Sequence, residues 1–88
     1  LCASGRGMQA LEEGWVMPGG RLPVNLSGGL KAKGHPVGAT GVSMHVMAAW
    51  QLLGRWRSAP LPRARLAAIL NMGGAGVSNY GSVLERVR

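Results

Sequence analysis

One histidine of this chain stands inside a glycine-rich stretch. His35 lies within G-G-L-K-A-K-G-H-P-V-G-A-T-G, which runs from Gly28 to Gly41. An imidazole can accept or donate a proton near neutral pH, and glycines permit positive φ and let a ligand approach the backbone. Pro36 favours an extended, stiff conformation at His35. The pattern predicts an active-site loop with His35 as its acid or base and Gly34 as a substrate-binding position. A loop histidine bonded only to backbone is the alternative.

A second group of candidates follows an apolar run. Asn71 is succeeded by a methionine and then by Gly73 and Gly74. Their backbone N–H groups could bind a developing oxyanion, whereas the same glycines in an ordinary turn would need no function. Asn71 is either a site residue or a turn residue that satisfies local backbone donors. The sequence alone does not decide between a functional and a structural role for Asn71 or for the glycines.

Several other kinds of site are excluded or disfavoured by composition. The chain has 88 residues, one Cys and two His, too few ligands for a structural zinc site, so we expect no metal. Gly29 and Gly34 have the spacing of a phosphate loop, but His35 and Pro36 stand where Lys and Ser/Thr are required. The net charge of +7 comes from dispersed basic residues, so we expect no nucleic-acid partner. A cytoplasmic protein without a membrane span is predicted.

The remaining pattern predicts an α/β chain. A short helix is expected over Met8–Glu13, ended by Gly14, and a short buried strand over Leu22–Leu26. Residues 39–53 carry no charge and predict a helix buried on all sides, ended by Gly54. The continuous apolar run Leu66–Asn71 predicts a central strand. A turn at Gly73, Gly74 and Gly76 and a last strand over Val77–Val87 complete the fold.

The buried helix sets a requirement on its surroundings. Val46, Trp50 and Leu53 share one face, and we expect all three to be mostly buried. Since the strands of this chain can cover one side only, another layer must cover the other. His45, on the same helix, is interpreted as a core histidine.

The glycine stretch also carries a resemblance. N-L-S-G-G-L-K-A-K-G-H-P-V-G-A-T-G resembles the G-H-P catalytic loop of thiolases, especially the sterol-carrier-protein branch. N-M-G-G-A-G-V-S-N-Y-G-S-V-L-E-R is similar to their closing glycine turn and last strand. The resemblance implies the C-terminal portion of a thiolase-like fold: strand, glycine-rich loop, buried helix and two closing strands. Residues 1–88 would then be the C-terminal part of a thiolase C-terminal domain, incomplete relative to the family.

The resemblance further implies an activity. In thiolases the histidine of this motif activates a nucleophilic cysteine, which for His35 would lie in a missing portion of the chain. Coenzyme A would be a substrate and no cofactor would be covalently bound. Many thiolases have a C-x-G turn where this chain has Asn71-Met72-Gly73, but the sterol-carrier-protein branch carries Asn there. The implied partners are an acyl-CoA, the remainder of the thiolase chain and further copies in a homo-oligomer.

Two alternatives to the acyltransferase remain. The first is a thiolase-like retro-aldol lyase that acts on coenzyme A thioesters. The second is a noncatalytic thiolase-like or lipid-transfer subunit, for which this chain would supply an interface and act as an accessory subunit.

Overall fold

The computed structural model describes residues 2–88 and confirms an α/β chain. Its helices are α1 (Gly7–Glu12), α2 (Gly29–Lys33) and α3 (Thr40–Leu52), and its strands are β1 (Leu66–Gly73) and β2 (Ser78–Glu85). A 3₁₀ turn over Gly74–Gly76 joins the two strands. The chain divides into two compact units, of which the first extends to Gly34 and the second is His35–Arg88.

The predicted first helix is confirmed within the first unit. Glu13 closes α1 by donating its N–H to the carbonyl of Gln9 at 2.9 Å. Gly14 follows with φ of 70°, the left-handed conformation that commonly terminates helices. The Glu13 carboxylate also accepts a hydrogen bond from Nε1 of Trp15 at 2.8 Å. The guanidinium of Arg21 lies over the indole ring of Trp15, 4.4 Å from its centroid, in a cation–π contact.

The predicted strand at Leu22–Leu26 is wrong, since no strand forms at these residues. Pro23 has no N–H and cannot join a ladder. Instead, the flanking N–H groups of Leu22 and Val24 bond singly to the carbonyls of Trp15 and Val16, at 2.8 and 3.0 Å. The segment is therefore a compact turn structure rather than a strand that leads into the glycine stretch.

The glycine stretch is also more ordered than predicted, because α2 forms inside it. Gly28 precedes this helix with φ of 86° and Gly34 follows it with φ of 79°, values that favour glycine. Between them stand Leu30, Lys31, Ala32 and Lys33, all good helix formers. The glycines thus delimit one helical turn and leave a shorter loop around His35.

Helix α3 begins and ends within one residue of the prediction. Gly54 follows it with φ of 67° and donates its N–H to the carbonyl of Gln51 at 3.1 Å, an expected C-terminal arrangement. Leu52 is buried, as is Ile69 of β1. The core of the second unit therefore lies between α3 and the hairpin.

The hairpin β1–β2 is antiparallel, with Ile69 opposite Ser82 and Asn71 opposite Tyr80. Side chains alternate between the two faces of a sheet, so Ile69 and Asn71 share the inner face, toward α3. β1 extends two residues beyond its predicted end at Asn71 because Gly73 still pairs with Ser78. Asn71 is therefore a strand residue, and the predicted turn is confined to Gly74–Gly76.

The expected burial of the outer face of α3 is wrong for this chain by itself. Val46, Trp50 and Leu53 are 40–51% exposed. Two strands are wide enough to cover only one side of a helix, which leaves the other side open. The outer face of the hairpin is open as well, with Leu70, Met72 and Val83 between 63% and 73% exposed. Among the described residues, no helix is long and apolar enough to cross a membrane.

Candidate active site

The start of α3 folds back onto the loop histidine. The carbonyl of Pro36 accepts the N–H groups of Ala39 and Thr40, at 2.8 and 2.9 Å. This tight turn brings the Thr40 side chain beside His35, with 2.7 Å between Thr40 Oγ1 and His35 Nδ1. The proline therefore both restricts the backbone of His35 and supplies the carbonyl that organises the turn.

The Thr40 hydroxyl lies between two partners, the Pro36 carbonyl and Nδ1 of His35. Thr40 Oγ1 donates its one hydrogen to the carbonyl of Pro36 at 3.1 Å. A hydroxyl that has donated its hydrogen can only accept from a second partner. With the hydroxyl in this direction, a protonated Nδ1 of His35 donates to Thr40 Oγ1. In the neutral imidazole this leaves Nε2 with the lone pair, which is the atom able to act as a base.

Burial differs sharply between the two partners. Thr40 is only 4% exposed, whereas His35 is exposed. Among the described residues, none hydrogen-bonds to Nε2 of His35. A rigid, buried hydroxyl therefore holds one edge of the ring while the opposite edge is open to a reacting group. This is the arrangement that a general base requires: a defined tautomer and an accessible lone pair.

Asn71 reaches the same helix start from the sheet. A Cβ built on Gly41 would lie 2.9 Å from Nδ2 of Asn71, so the side-chain amide lies against the backbone of α3 one residue after Thr40. Glycine at this position is what permits the close approach. The structure thus brings the start of α3 and the candidate Asn71 together, although they are about 30 residues apart in the chain.

His45 is held at both ring nitrogens, in agreement with its interpretation as a structural residue. Nδ1 lies 2.7 Å from the carbonyl of Gly41, and Nε2 lies 3.0 Å from Oγ of Ser82. Since a carbonyl only accepts, Nδ1 carries the proton, and the neutral ring accepts the Ser82 hydroxyl proton at Nε2. The pair ties α3 to β2 and leaves no ring nitrogen free for a substrate.

The glycine candidates lie in different local settings. Gly34 donates its N–H to the carbonyl of Leu30 at 2.8 Å, so that donor is engaged in this conformation. Gly73 is extended, with φ of −124°, and ends β1 two residues after Asn71. Gly74 is in the left-handed region with φ of 56° and opens the turn. All three are exposed, and their role toward an oxyanion stays a prediction.

Thr40 is a candidate site residue that the sequence analysis did not identify. The available signal was a hydroxyl residue five positions after His35, at the start of the helix and beyond a proline turn. Within residues 2–88, no group of three or more His, Cys, Asp or Glu side chains is placed to hold a metal ion. Cys2 is a free, exposed thiol in the first unit.

The second unit thus places a histidine with an accessible ring nitrogen at the start of a helix that packs on a β-hairpin. The sequence matches the family described as thiolase C-terminal domain-like over residues 1–86. The chain therefore belongs to this family, as the G-H-P motif around His35 predicted.

Three curated relatives place the chain within the family. The acetyl-CoA acetyltransferase of Methanothermobacter thermautotrophicus is 43% identical over 72 residues, which cover 82% of this chain and 19% of that protein. Sterol carrier protein 2 of Bos taurus is 41% identical over 76 residues, covering 86% and 14%. The non-specific lipid-transfer protein-like 2 of Caenorhabditis elegans is 40% identical over 79 residues, covering 88% and 19%. The chain thus spans a fifth or less of these relatives. No solved structure matches it.

Proposed function

We propose that this chain is the C-terminal part of a thiolase C-terminal domain and supplies the general base of an acyltransferase that acts on acyl-CoA thioesters. The observation that carries the proposal is the hydrogen-bond series from His35 Nδ1 through Thr40 to the Pro36 carbonyl. It leaves a single basic nitrogen, Nε2, directed away from the protein's own hydrogen bonds. The family match and the acetyl-CoA acetyltransferase among the relatives support the substrate class.

In the proposed reaction His35 serves a cysteine thiol from the remainder of the polypeptide. Nε2 takes the thiol proton, and the thiolate attacks the carbonyl carbon of the thioester. The tetrahedral oxyanion collapses, the acyl group stays on the cysteine, and coenzyme A leaves as a thiolate that takes the proton back from the imidazolium. Throughout, Thr40 keeps Nδ1 protonated, so both proton transfers use the same nitrogen.

Asn71 and the turn glycines have supporting roles in this proposal. The amide of Asn71 can donate a hydrogen bond to a thioester oxygen near the start of α3, where helix N–H groups also favour negative charge. Gly73 and Gly74, two and three residues after Asn71, are the proposed backbone donors. A cytoplasmic setting and assembly into a homo-oligomer complete the proposal.

A second candidate function follows from the names of the relatives. Sterol carrier protein 2 and a lipid-transfer protein are as similar to this chain as the acetyltransferase is, within a few per cent of identity. A noncatalytic role in a lipid-transfer protein would use the same fold as an interface. It would give no reason for the oriented, accessible nitrogen of His35, which is why the acyltransferase is preferred.

A chimeric enzyme tests the proposal. The matching segment of the Methanothermobacter acetyl-CoA acetyltransferase is replaced by this chain, and cleavage of acetoacetyl-CoA is measured. We expect an active chimera in which His35→Ala slows formation of the acyl-enzyme by about 10²- to 10⁴-fold. The acyl-enzyme is followed by intact mass, which separates this step from release of product.

His45→Ala is the matched control, because it removes the other histidine of the chain. Its rate of acylation should stay within a few-fold of the parent chimera. A folded chimera that is inactive, or a His35→Ala variant that acylates at the parent rate, would contradict the acyltransferase proposal. The second result would favour the noncatalytic candidate.

A further inference from the structure

The turn between β1 and β2 contains a residue in an unfavourable backbone conformation. Ala75 has φ of 55° and ψ of 34°, in the left-handed region, between Gly74 with φ of 56° and Gly76 with φ of 94°. Glycine adopts this region without a steric penalty, whereas the Cβ of alanine comes too close to the following carbonyl oxygen. Among the described residues only Asn25 and Ala75 combine a side chain with positive φ, and asparagine tolerates this region better than alanine.

The hydrogen bonding of the turn requires this conformation. Val77 donates its N–H to the carbonyl of Gly74 at 3.2 Å, which closes a turn with Ala75 and Gly76 at its centre. Positive φ at both central residues is typical of a type I′ turn, the form that matches the twist of a hairpin. Asn-Gly, Asp-Gly and Gly-Gly are the usual central pairs, and Ala-Gly is not. A change of Ala75 to the right-handed region would break the bond from Val77 to Gly74.

A side chain of the following strand stabilises the turn. Nδ2 of Asn79 donates to the carbonyl of Gly76 at 2.7 Å. Asn79 is itself held in the ladder, where it pairs with Met72. Its amide therefore joins the second central residue of the turn to the regular part of β2. An unfavourable backbone conformation persists only where neighbouring contacts hold it, and this contact is one that does so at Ala75.

The turn lies at the same end of the second unit as His35. Nδ2 of Asn71 lies against Gly41 in the first turn of α3, whereas Arg86, just after β2, donates to the carbonyl of Leu52 in the last turn. These two contacts fix the direction of the helix along the hairpin, so α3 begins where β1 approaches the turn. His35 stands just ahead of this helix start. The turn and the candidate base therefore share one end of the unit.

Gly74 connects the turn to the candidate site. The residue before it, Gly73, pairs with Ser78 at the end of the ladder, and the carbonyl of Gly74 accepts from Val77. Since Gly74 lies between these two fixed points, the direction of its N–H depends on the turn keeping its left-handed form. Gly73 and Gly74 are the backbone donors of the proposed acyl transfer, which makes the conformation of Ala75 relevant to the reaction.

We propose that Asn79 is a positioning residue for acyl transfer, a role that rests on the function proposed above. Its amide holds Ala75 in the left-handed conformation, and the turn in this form directs the N–H groups of Gly73 and Gly74. Asn79 is exposed and its amide donates to a protein carbonyl. Loss of this amide should therefore slow the chemical step through the turn and leave substrate binding unchanged.

The chimeric acetyl-CoA acetyltransferase that carries this chain tests the role of Asn79. Asn79→Ala should slow acyl-enzyme formation at saturating acetoacetyl-CoA by about three- to tenfold, the effect of losing one hydrogen bond, and should leave KM unchanged. Asn79→Asp has nearly the same shape but no N–H to donate, and it should slow the step equally. Ser78→Ala is the matched control, because it removes the neighbouring exposed hydroxyl, and its rate should stay within about twofold of the parent.

Substitutions of Ala75 test the turn itself. Ala75→Gly removes the Cβ that opposes the left-handed conformation, so it should keep the parent rate and restore most of the rate lost in Asn79→Ala. Ala75→Val places a branched side chain in the same region and should slow acylation even with Asn79 present. If Asn79 were merely structural, its loss would lower the melting temperature without changing the acylation rate, and Ala75→Gly would rescue nothing.

Failure of this role is distinguishable from failure of the acyltransferase. If His35→Ala slows the chimera but Asn79→Ala acylates at the parent rate, the acyltransferase stands and the positioning role is overturned. An Asn79→Ala variant that is equally slow with and without Ala75→Gly would overturn the route through the turn. An inactive chimera contradicts both proposals. Melting temperatures then still report the turn, since Asn79→Ala should lower them more in the parent than in the Ala75→Gly background.

Discussion

The hydroxyl of Thr40 lies 2.7 Å from Nδ1 of His35 and is itself committed to the carbonyl of Pro36. In this arrangement a buried threonine favours a proton on Nδ1 of an exposed histidine and leaves Nε2 as the basic nitrogen. The side chain needed for this is small, must donate and accept at once, and must lie at the start of α3. These requirements make the pair directly testable.

Thr40→Val should change the tautomer equilibrium of His35. Valine has almost the shape of threonine but cannot accept the Nδ1 proton, so the neutral ring should redistribute its proton toward Nε2. Nitrogen-15 shifts of the two imidazoles, measured in the chain at a pH where they are neutral, report this directly. Thr40→Ser keeps the hydroxyl and should keep the tautomer. An unchanged tautomer in the valine variant would show that the hydroxyl does not set it.

Gly41→Ala should strain the contact between α3 and β1. Alanine would stabilise the helix by up to about 1 kcal/mol, but its Cβ would lie 2.9 Å from Nδ2 of Asn71. We expect overpacking of about 1–3 kcal/mol to outweigh the gain in helix propensity and to displace the Asn71 amide.

A double-mutant cycle with Asn71→Ala measures this contact. Urea unfolding should show that Gly41→Ala destabilises the parent chain but stabilises the Asn71→Ala variant. Gly38→Ala is the matched control, because no atom lies within 4 Å of its added Cβ. A Gly41→Ala effect that is the same in both backgrounds would mean that the two residues do not touch.

His45→Ala should lower stability rather than chemistry. It removes the hydrogen bonds to the Gly41 carbonyl and to Ser82, and we expect a loss of about 1–3 kcal/mol in unfolding free energy. Ser82→Ala should cost about 1 kcal/mol, and the double variant should cost less than the sum of the two. Strict additivity would indicate that the bond between α3 and β2 contributes nothing.

The isolated chain should bind a hydrophobic dye. Apolar side chains remain open on the outer faces of both α3 and the hairpin, at Val46, Trp50, Leu70, Met72 and Val83. Exposed apolar surface of this kind promotes association or loose packing. Dye fluorescence at micromolar chain should rise strongly, and Val83→Lys with Leu70→Glu should reduce it. A cooperative melt with no dye binding would identify a self-sufficient domain.

The isolated chain should also be inactive toward acetoacetyl-CoA. The acyl-accepting cysteine of the proposed reaction comes from the remainder of the polypeptide, and the single thiol of this chain, Cys2, is a free, exposed side chain with no assigned role. Purified chain should therefore cleave acetoacetyl-CoA no faster than a Cys2→Ser control. Measurable cleavage that this substitution abolishes would make Cys2 a nucleophile.

The sequence predicted those elements that have strong local signals. α3 was placed within a residue because an uncharged run ends at a glycine, and the hairpin followed from an apolar run and a glycine turn. The predicted strand at Leu22–Leu26 does not form because it has no partner strand and because Pro23 has no N–H to donate. Apolar residues alone do not specify a strand. The end of β1 was misplaced because pairing with β2, a nonlocal effect, extended it through Gly73.

The candidate site also contains features that local sequence predicts and features that depend on the fold. His35 could be selected from its glycines and proline, which act over a few residues. The partnership with Thr40 depends on the turn at Pro36, and the contact of Gly41 with Asn71 depends on how α3 packs on β1. The only local signal for the first contact is a hydroxyl residue five positions after His35, and the second contact has no local signal, so both became clear only in the structure.

The position of Asn71 in the hairpin depends on Ile69, a residue with an unreactive side chain. Ile69 is buried on the same face of β1, two positions earlier. A slip of the ladder by one residue would turn every side chain of β1 to the opposite face, exposing Ile69 and exchanging Asn71 for Met72 beside α3. Burial of Ile69 therefore keeps the Asn71 amide on the face of β1 that packs against α3. A change in turn length that shifted β1 by one residue would remove this amide from the site even where the chain still folded.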